Sequence, residues 1–254
     1  YRKIMIIVKN AAELHKIRKA SELAAKTLKL AGERAVPGIS TWELDRIIRE
    51  FLKKHGAKPS FLGYRGFRGS ACISVNEELI HGVPSKTRIL KNGDIVSVDI
   101  GAFLDGWHGD NTSTFAIGEI SEDAKRLLKV TEGCLYAGIN AARPGNRIGD
   151  ISSAVQAYCE GRGFHIVKEY IGHGIGRDLH EDPDIPNFGR AGKGPRLTPG
   201  MTICIEPMIN SSTPEVKLLA DKWTVVEANG NLCAHFEHTI AITENEPYIL
   251  TKLT

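Results

Sequence analysis

Between residues 11 and 35, Leu14, Ile17, Ser21, Ala24, Leu28 and Ala31 recur at spacings of three and four. That spacing predicts a helix with one buried stripe. Pro37-Gly38 ends it, and Ser40, with Glu43 three residues on, predicts a capping box opening a second helix. Leu44, Ile47, Ile48, Phe51 and Leu52 form its apolar face, and Gly56 stops it.

The pattern then returns. Adding 107 carries Pro37-Gly38 onto Pro144-Gly145, Leu28 onto Leu135, and Leu44, Ile48, Phe51 and Gly56 onto Ile151, Val155, Tyr158 and Gly163. The same shift carries "LKNGDIVSVD", ending at Asp99, onto "LTPGMTICIE", ending at Glu206, without a net insertion. One offset aligning helix, turn, helix and strand predicts two related halves about a pseudo-two-fold axis, with Asp99 and Glu206 approaching that axis from opposite sides. The expected organisation is a single catalytic domain over 1–254, its halves roughly 11–118 and 119–254.

Elsewhere the apolar period shortens to that of strands. "DIVSVDIGAFLDGWHGDNTSTFAIG" holds two β-rich runs around Asp105-Gly106, a two-residue hairpin signal. If that turn forms, residues whose numbers sum to 211 face each other, which puts Asp99 opposite Thr112 and Asp110 opposite Gly101. The two aspartates become diagonal neighbours on one face, roughly 7–8 Å apart at the backbone. "KWTVVEANGNLCAHFEHTIAIT" predicts a turn at Asn229-Gly230 and a strand running through Glu237. Helices over antiparallel hairpins make the fold class α+β.

Composition narrows the class. A chain of 254 residues, 42% hydrophobic, can bury a sizeable core. Lys and Arg number 33 against 30 Asp and Glu, and no dense basic tract marks a nucleic-acid surface; Lys16, Arg18, Lys19, Lys26 and Lys29 read as a solvated helix face. The five cysteines, Cys72, Cys134, Cys159, Cys204 and Cys233, form no C-x-x-C pair, which points to a reducing compartment and away from a zinc knuckle. No run reaches membrane-spanning length and "YRKIMIIVKN" lacks a signal-peptide core, so a soluble cytoplasmic protein is expected, with residues 1–4 a candidate non-native leader.

An acid inside an apolar strand costs free energy unless it is paired or bound to a metal. Four such acids occur: Asp99 after "IVSV", Asp110 across the hairpin, Glu206 after "TICI" and Glu237 before "HTIAI". Each alone reads as a strand-end polar residue; together, with two related by the repeat, they predict a metal centre. Oxygen donors plus one imidazole suit Mn, Fe, Co or Zn, and four carboxylates suit two ions better than one catalytic zinc. In "EYIGHGIGRDLHEDPDIPN", His173 and His180 are seven apart, and Gly172, Gly174 and Gly176 make a helix improbable, so the pair is no H-E-x-x-H site. His173 is the expected ligand and His180 stands further along the cleft, while Glu181, Asp182 and Asp184 read as solvated loop acids. "GHGIGR" and "GKGPR" fail the phosphate-loop spacings, and "GYRGFRGS" reads as a glycine-rich surface loop.

These residues resemble a known family. "HGVP", "VDIGAFLDGWHGDNTSTF", "GHGIGRDLHEDP", "LTPGMTICIEPMI" and "FEHTIAIT" are similar to type I methionine aminopeptidases, from about Glu13 to Tyr248. The resemblance implies the pita-bread fold, two pseudo-two-fold halves of antiparallel strands with helices packed outside, closing on a dinuclear metal site. It implies that Asp99 and Asp110 bind one ion and that Asp110, His173, Glu206 and Glu237 bind the other, Asp110 and Glu237 bridging. Two ions roughly 3.5–4 Å apart would hold a shared water or hydroxide and depress its pKa toward about 7. Glu206 resembles the family's proton-transfer residue, His180 the donor to the carbonyl oxygen and His81 the partner of the scissile amide.

The resemblance also implies a methionine pocket at Phe61, Tyr64, Phe67, Cys72, Leu179 and Trp223, with Leu179 and Phe61 departing from common family residues. A monovalent cation, Na or K, would use main-chain oxygens at Asn76, Glu78 and Cys233. Only 25 positions separate His180 from Glu206, which leaves no room for the helical insertion of type II enzymes. The expected activity is removal of initiator methionine before a small second residue, with a peptide or nascent-chain amino terminus, and through it the ribosome, as partner, and a monomeric state. Xaa-Pro dipeptidases and aminopeptidase P share the fold and the five ligands and form the alternative; a non-catalytic peptide-binding protein is a third reading.

Overall fold

Four helices and a mixed set of antiparallel strands make up the computed structural model, which describes residues 5–253; the reading of residues 1–4 lies outside the described residues. Helix α1 spans Ala11–Arg34 and α2 Thr41–Lys54. The α1 stripe is buried at Ile17, Ser21, Ala24, Leu28 and Ala31. Ser40 accepts from the Glu43 amide at 3.1 Å, half of the expected box, whereas a full reciprocal pair forms at α1 between Asn10 and Glu13. Helices α3 (Glu122–Ala141) and α4 (Ile148–Glu160) follow the second Pro-Gly pattern.

The positions 107 apart behave alike. Gly38 and Gly145 take φ of 96° and 89°, the left-handed conformation both turns need. Leu44 and Ile151, and Ile48 and Val155, are fully buried at the equivalent helix positions.

Seven strands of a nine-stranded antiparallel sheet position the chemistry. They are β1 (Cys72–Val75), β2 (Ile95–Leu104), β3 (Trp107–Ala116), β4 (Gly172–Gly174), β5 (Glu181–Ile185), β6 (Thr202–Ile205) and β7 (Glu237–Ala241). The ladder runs β2, β3, β7, β6, β4, β5, with β1 on the free side of β2.

Strand alternation decides what each face carries. Val96, Val98, Ile100 and Ala102 of β2 enter one core with α1 and α2, and Ile203, Ile205 and Ile240 enter a second core with α3 and α4. The intervening residues, among them Asp99, Cys204 and Glu206, are thereby turned to the face opposite the helices. Truncating a fully buried residue such as Ile203 to Ala would cost about 2–5 kcal/mol, so these cores fix the strands that carry the acids.

One expected strand differs. Residues 225–241 do not form a hairpin about Asn229-Gly230 that runs on through Glu237. Val225–Glu227 pairs with strands at 78–80 and 216–218, Cys233–His235 pairs with Met208–Asn210, and β7 begins only after Phe236. The Glu227 carboxylate takes the amides of Asn229 and Asn231 and the Ser212 hydroxyl, so the turn is organised around that side chain rather than by a strand ladder.

Candidate metal centre and substrate cleft

The β2–β3 hairpin turns at Asp105 and Gly106, both at positive φ (51° and 83°), the pair of conformations a tight two-residue hairpin requires. Its register is Asp99 opposite Thr112 and Gly101 opposite Asp110, as the turn predicts. Strand β7 docks beside β3 with Glu237 opposite Thr112. The Thr239 hydroxyl locks that junction, accepting from the Asp110 amide at 3.0 Å and donating to the Asp110 carbonyl at 2.7 Å. Glu206 follows β6 directly, its carbonyl held by the Asn187 amide group at 3.0 Å.

His173 arrives from the other side on β4. A Cβ at Gly174 would stand 2.3 Å from the Asp182 carbonyl oxygen, so only glycine lets β4 approach β5 this closely. The His173 Nδ1 donates to the Gly174 carbonyl at 2.8 Å, an acceptor only, which leaves Nε2 with a free lone pair. That Nε2 lies 3.6 Å from Glu206 Oε1 and 4.0 Å from Asp110 Oδ2. Ligand atoms of Asp110, His173, Glu237 and Cys204 all fall within 4.8 Å of one another. Buried carboxylate oxygens of Asp99 (Oδ1), Asp110 (Oδ1) and Glu237 (Oε1) have no hydrogen-bond partner among the described residues. Orphaned acceptors converging with an oriented imidazole fit divalent cations, since such oxygens are otherwise costly to bury.

The electrostatics agree. Burial raises the carboxyls of Asp110, Glu206 and Glu237 well above the ordinary carboxylate range, and repulsion among the acids raises them further. Asp99 is raised for the same first reason, partly offset by His235. Burial lowers His173 to about 3 and His235 to about 4, so both rings are neutral, the ligand form.

Beside this cluster opens a cavity of about 180 Å³. Every residue expected in the methionine pocket lines it: Phe61, Tyr64, Phe67, Cys72, Leu179 and Trp223. Phe67 and Trp223 meet edge to face at 5.1 Å. His81 and His180 line the same cavity, each lowered to about 4 chiefly by burial. The His180 ring stands 4.2 Å from that of His173, and its Nδ1 is 2.9 Å from the Tyr64 hydroxyl. His81 is held at φ 57°, an uncommon left-handed conformation for a non-glycine residue, edge-on to Tyr170.

Three lining or contacting residues are not among the sequence candidates. His235 Nε2 is buried 3.3 Å from Glu206 Oε2, and its two-residue spacing from Glu237 was the available signal. Cys204 shares the Glu206 face by alternation; burial keeps its thiol protonated, with Sγ 3.5 Å from the Thr239 hydroxyl. Arg65 lines the cavity from the loop read as a glycine-rich surface turn. One expectation is overturned: Glu181 is not a solvated loop acid. Its side chain is 3% exposed and ion-paired with Lys9 at 2.6 Å, because the turn before it folds over its carboxylate. Asp184 is exposed as expected, and Asp182 accepts from the Met5 amide at 2.9 Å. The Asn76 carbonyl accepts from the Cys233 amide at 3.0 Å, and Glu78 Oε2 accepts from the Val75 amide at 2.8 Å.

The family model for metallopeptidase family M24 matches residues 15–244. The chain belongs to family M24. It is 56% identical over 249 residues to methionine aminopeptidase 1 of Bacillus subtilis, covering 98% of this chain and all of that protein. It is 51% identical to the methionine aminopeptidase of Clostridium acetobutylicum, over 97% of this chain and 99% of the relative. Among solved structures, methionine aminopeptidase from Thermotoga maritima superposes with a TM-score of 0.96 at 45% identity, covering 98% of this chain and all of that one. Prolidase from Pyrococcus furiosus superposes at 0.80 and 26% identity, but this chain covers only 66% of its length. The fold is the α+β pita-bread fold, membership of M24 makes the chain a metal-dependent hydrolase, and the buried acid cluster is its candidate metal-binding group. Among the described residues no helix is long and apolar enough to cross a membrane.

Proposed function

We propose that this M24 member is a metalloaminopeptidase that removes the amino-terminal methionine from peptides and nascent proteins whose second residue is small. The observation that carries the reading is that Asp99, Asp110, His173, Glu206 and Glu237 line one cavity together with Phe61, Phe67, Cys72, Leu179 and Trp223. Full-length similarity to proteins named methionine aminopeptidase supports it.

Asp99, Asp110, His173, Glu206 and Glu237 would hold two divalent ions, Asp99 on the first, His173 and Glu206 on the second, and Asp110 and Glu237 on both. Bound Mn, Fe, Co or Zn ions supply the Lewis acidity that activates water and polarises the scissile carbonyl at neutral pH. The chain's own groups do the rest. Phe61, Phe67, Cys72, Leu179 and Trp223 take up the methionine side chain, which an apolar cavity of this size favours. A neutral His180 that accepts from Tyr64 at Nδ1 carries its proton on Nε2 and donates it, as a hydrogen bond, to the carbonyl oxygen as charge develops. His81 faces the scissile amide, and Glu206 moves the proton from water to the leaving amine. The substrate's α-amine lies toward Asp99, which limits cleavage to the first residue.

The finer expectations are part of the proposal: a monovalent cation, Na or K, held by main-chain oxygens at Asn76, Glu78 and Cys233; one catalytic domain; a monomer acting in the cytoplasm on chains emerging from the ribosome. The test is a peptide panel with Mn or Co. Met-Ala-Ser should be cleaved after Met, and Ala-Pro-Ser should not. The opposite preference would support the Xaa-Pro reading, and tight binding without product would support a non-catalytic one.

A further inference from the structure

The turn that delivers Leu179 and His180 to the cleft is organised by a buried ion pair outside it. Residues 175–180 join β4 to β5, and Glu181, the first residue of β5, sits opposite Gly174. Its Oε1 accepts from the Arg177 amide at 2.9 Å, closing the turn on its own carboxylate. Its Oε2 accepts from Lys9 Nζ at 2.6 Å, with side-chain exposures of 1% and 3%. A Cβ at Gly176 would stand 2.4 Å from Glu181 Oε1 and 2.8 Å from Lys9 Cε, so the turn backbone lies directly against the pair.

Lys9 is itself fixed at two points. Its amide donates to the Gly200 carbonyl at 2.8 Å, at the entry to β6 and Glu206. Asn10, the next residue, caps α1. Upstream, Ile6 bridges to Asp182 of β5. The Lys9 ammonium therefore ties the turn to the segments leading into α1 and β6.

We propose that the Lys9–Glu181 pair is a positioning device that sets Leu179 and His180 over the candidate metal centre. A buried ion pair gains little net stability, because desolvation offsets attraction, so stability alone is a poor reason for this one. Its location supplies a better reason. His180 directly precedes Glu181, and the turn of residues 176–180 closes on the Glu181 carboxylate through the Arg177 amide, so an anchor that fixes Glu181 fixes the end of the turn that carries His180 beside Tyr64 and His173. A shift of about 1 Å in such a group can cost on the order of 100-fold in rate. The inference rests on reading His180 as the group that faces the substrate carbonyl.

The experiment compares the parent with Glu181→Gln and Lys9→Met, each full length, with kcat and KM measured on Met-Ala-Ser at matched Mn content. A zinc-loaded sample of each gives the His180 imidazole NMR resonances, assigned with His180→Gln. Glu181→Gln keeps the shape and an acceptor oxygen, which guards against simple misfolding. Both variants should lose threefold or more in kcat with KM changed less than threefold, and both should shift the His180 resonances while metal content stays at the parent's. A kcat loss under threefold with parent-like His180 resonances, or a loss that only follows lost metal, would overturn the proposal. If the parent fails to cleave Met-Ala-Ser, the functional reading fails by itself, and the resonances alone then decide the positioning role.

Discussion

The Thr112 hydroxyl donates to Glu237 Oε2 at 2.9 Å across the junction of β3 and β7. This bond orients a carboxylate whose other oxygen is buried with no hydrogen-bond partner among the described residues, and so aims that oxygen into the acid cluster. Groups that orient metal ligands typically contribute 10–100-fold to metal affinity. Thr112→Val keeps the shape and removes the donor. The variant should bind Mn about 10-fold more weakly by calorimetric titration, with melting of the metal-free protein changed little; unaltered affinity would remove Thr112 from the site's support.

Metal binding should depend on pH in a defined sense. The carboxyls of Asp110, Glu206 and Glu237 are raised in the folded, metal-free chain, so from about pH 4 upward the folded state holds more protons than the unfolded one. Their contribution to stability is therefore lost as pH rises and these groups ionise against one another. Divalent ions relieve that repulsion and displace the protons. The difference in melting temperature between Mn-loaded and chelator-treated protein should grow from pH 5.5 to about pH 8. A difference that stays flat or shrinks would contradict the assignment of these acids as ligands.

His81 gives an acid-side prediction of opposite sign. Its folded pKa is lowered to about 4, so between about pH 6.5 and 4 the unfolded chain binds the extra proton and stability falls as pH falls. In chelator-treated samples, His81→Gln should flatten that decline relative to the parent, by at most about 3 kcal/mol across the window. Parallel denaturation curves over pH 4–6.5 would mean that His81 is not held neutral by burial.

Trp223 and Phe67 meet edge to face on the cavity wall. Trp223→Ala removes that wall while touching none of the candidate ligands. KM for Met-Ala-Ser should rise about 10-fold or more, with Mn content unchanged, as expected when apolar binding surface is lost. A parent-like KM would place the methionine side chain elsewhere.

Local signals made much of this legible. Asp105-Gly106 fixed the hairpin register, and that register alone paired Asp99 with Thr112 and Gly101 with Asp110. The 107-residue offset relates Asp99 to Glu206 in the sequence itself. The misses have different causes, and one is that long-range contacts leave no periodic trace. Glu181 looked solvated because its neighbours are polar, yet its partner Lys9 lies 172 residues away. The strand expected through Glu237 broke because Glu227 gathers amides from its own turn, a competition between side chain and ladder that alternation does not encode. Cys204 and His235 are readable by alternation from Glu206 and Glu237, but neither is an acid set in an apolar strand, the signal that marks the carboxylates.

Asp99, Asp110, His173, Glu206 and Glu237 should together make a metal-dependent site that releases amino-terminal methionine. Its most direct test is methionine release from Met-Ala-Ser by chelator-stripped protein, followed as Mn is added back. The stripped protein should show no turnover and should recover on titration, and Asp99→Ala and Glu206→Ala should not recover. Undiminished turnover by the stripped protein, or parent-like turnover in either variant, would contradict it.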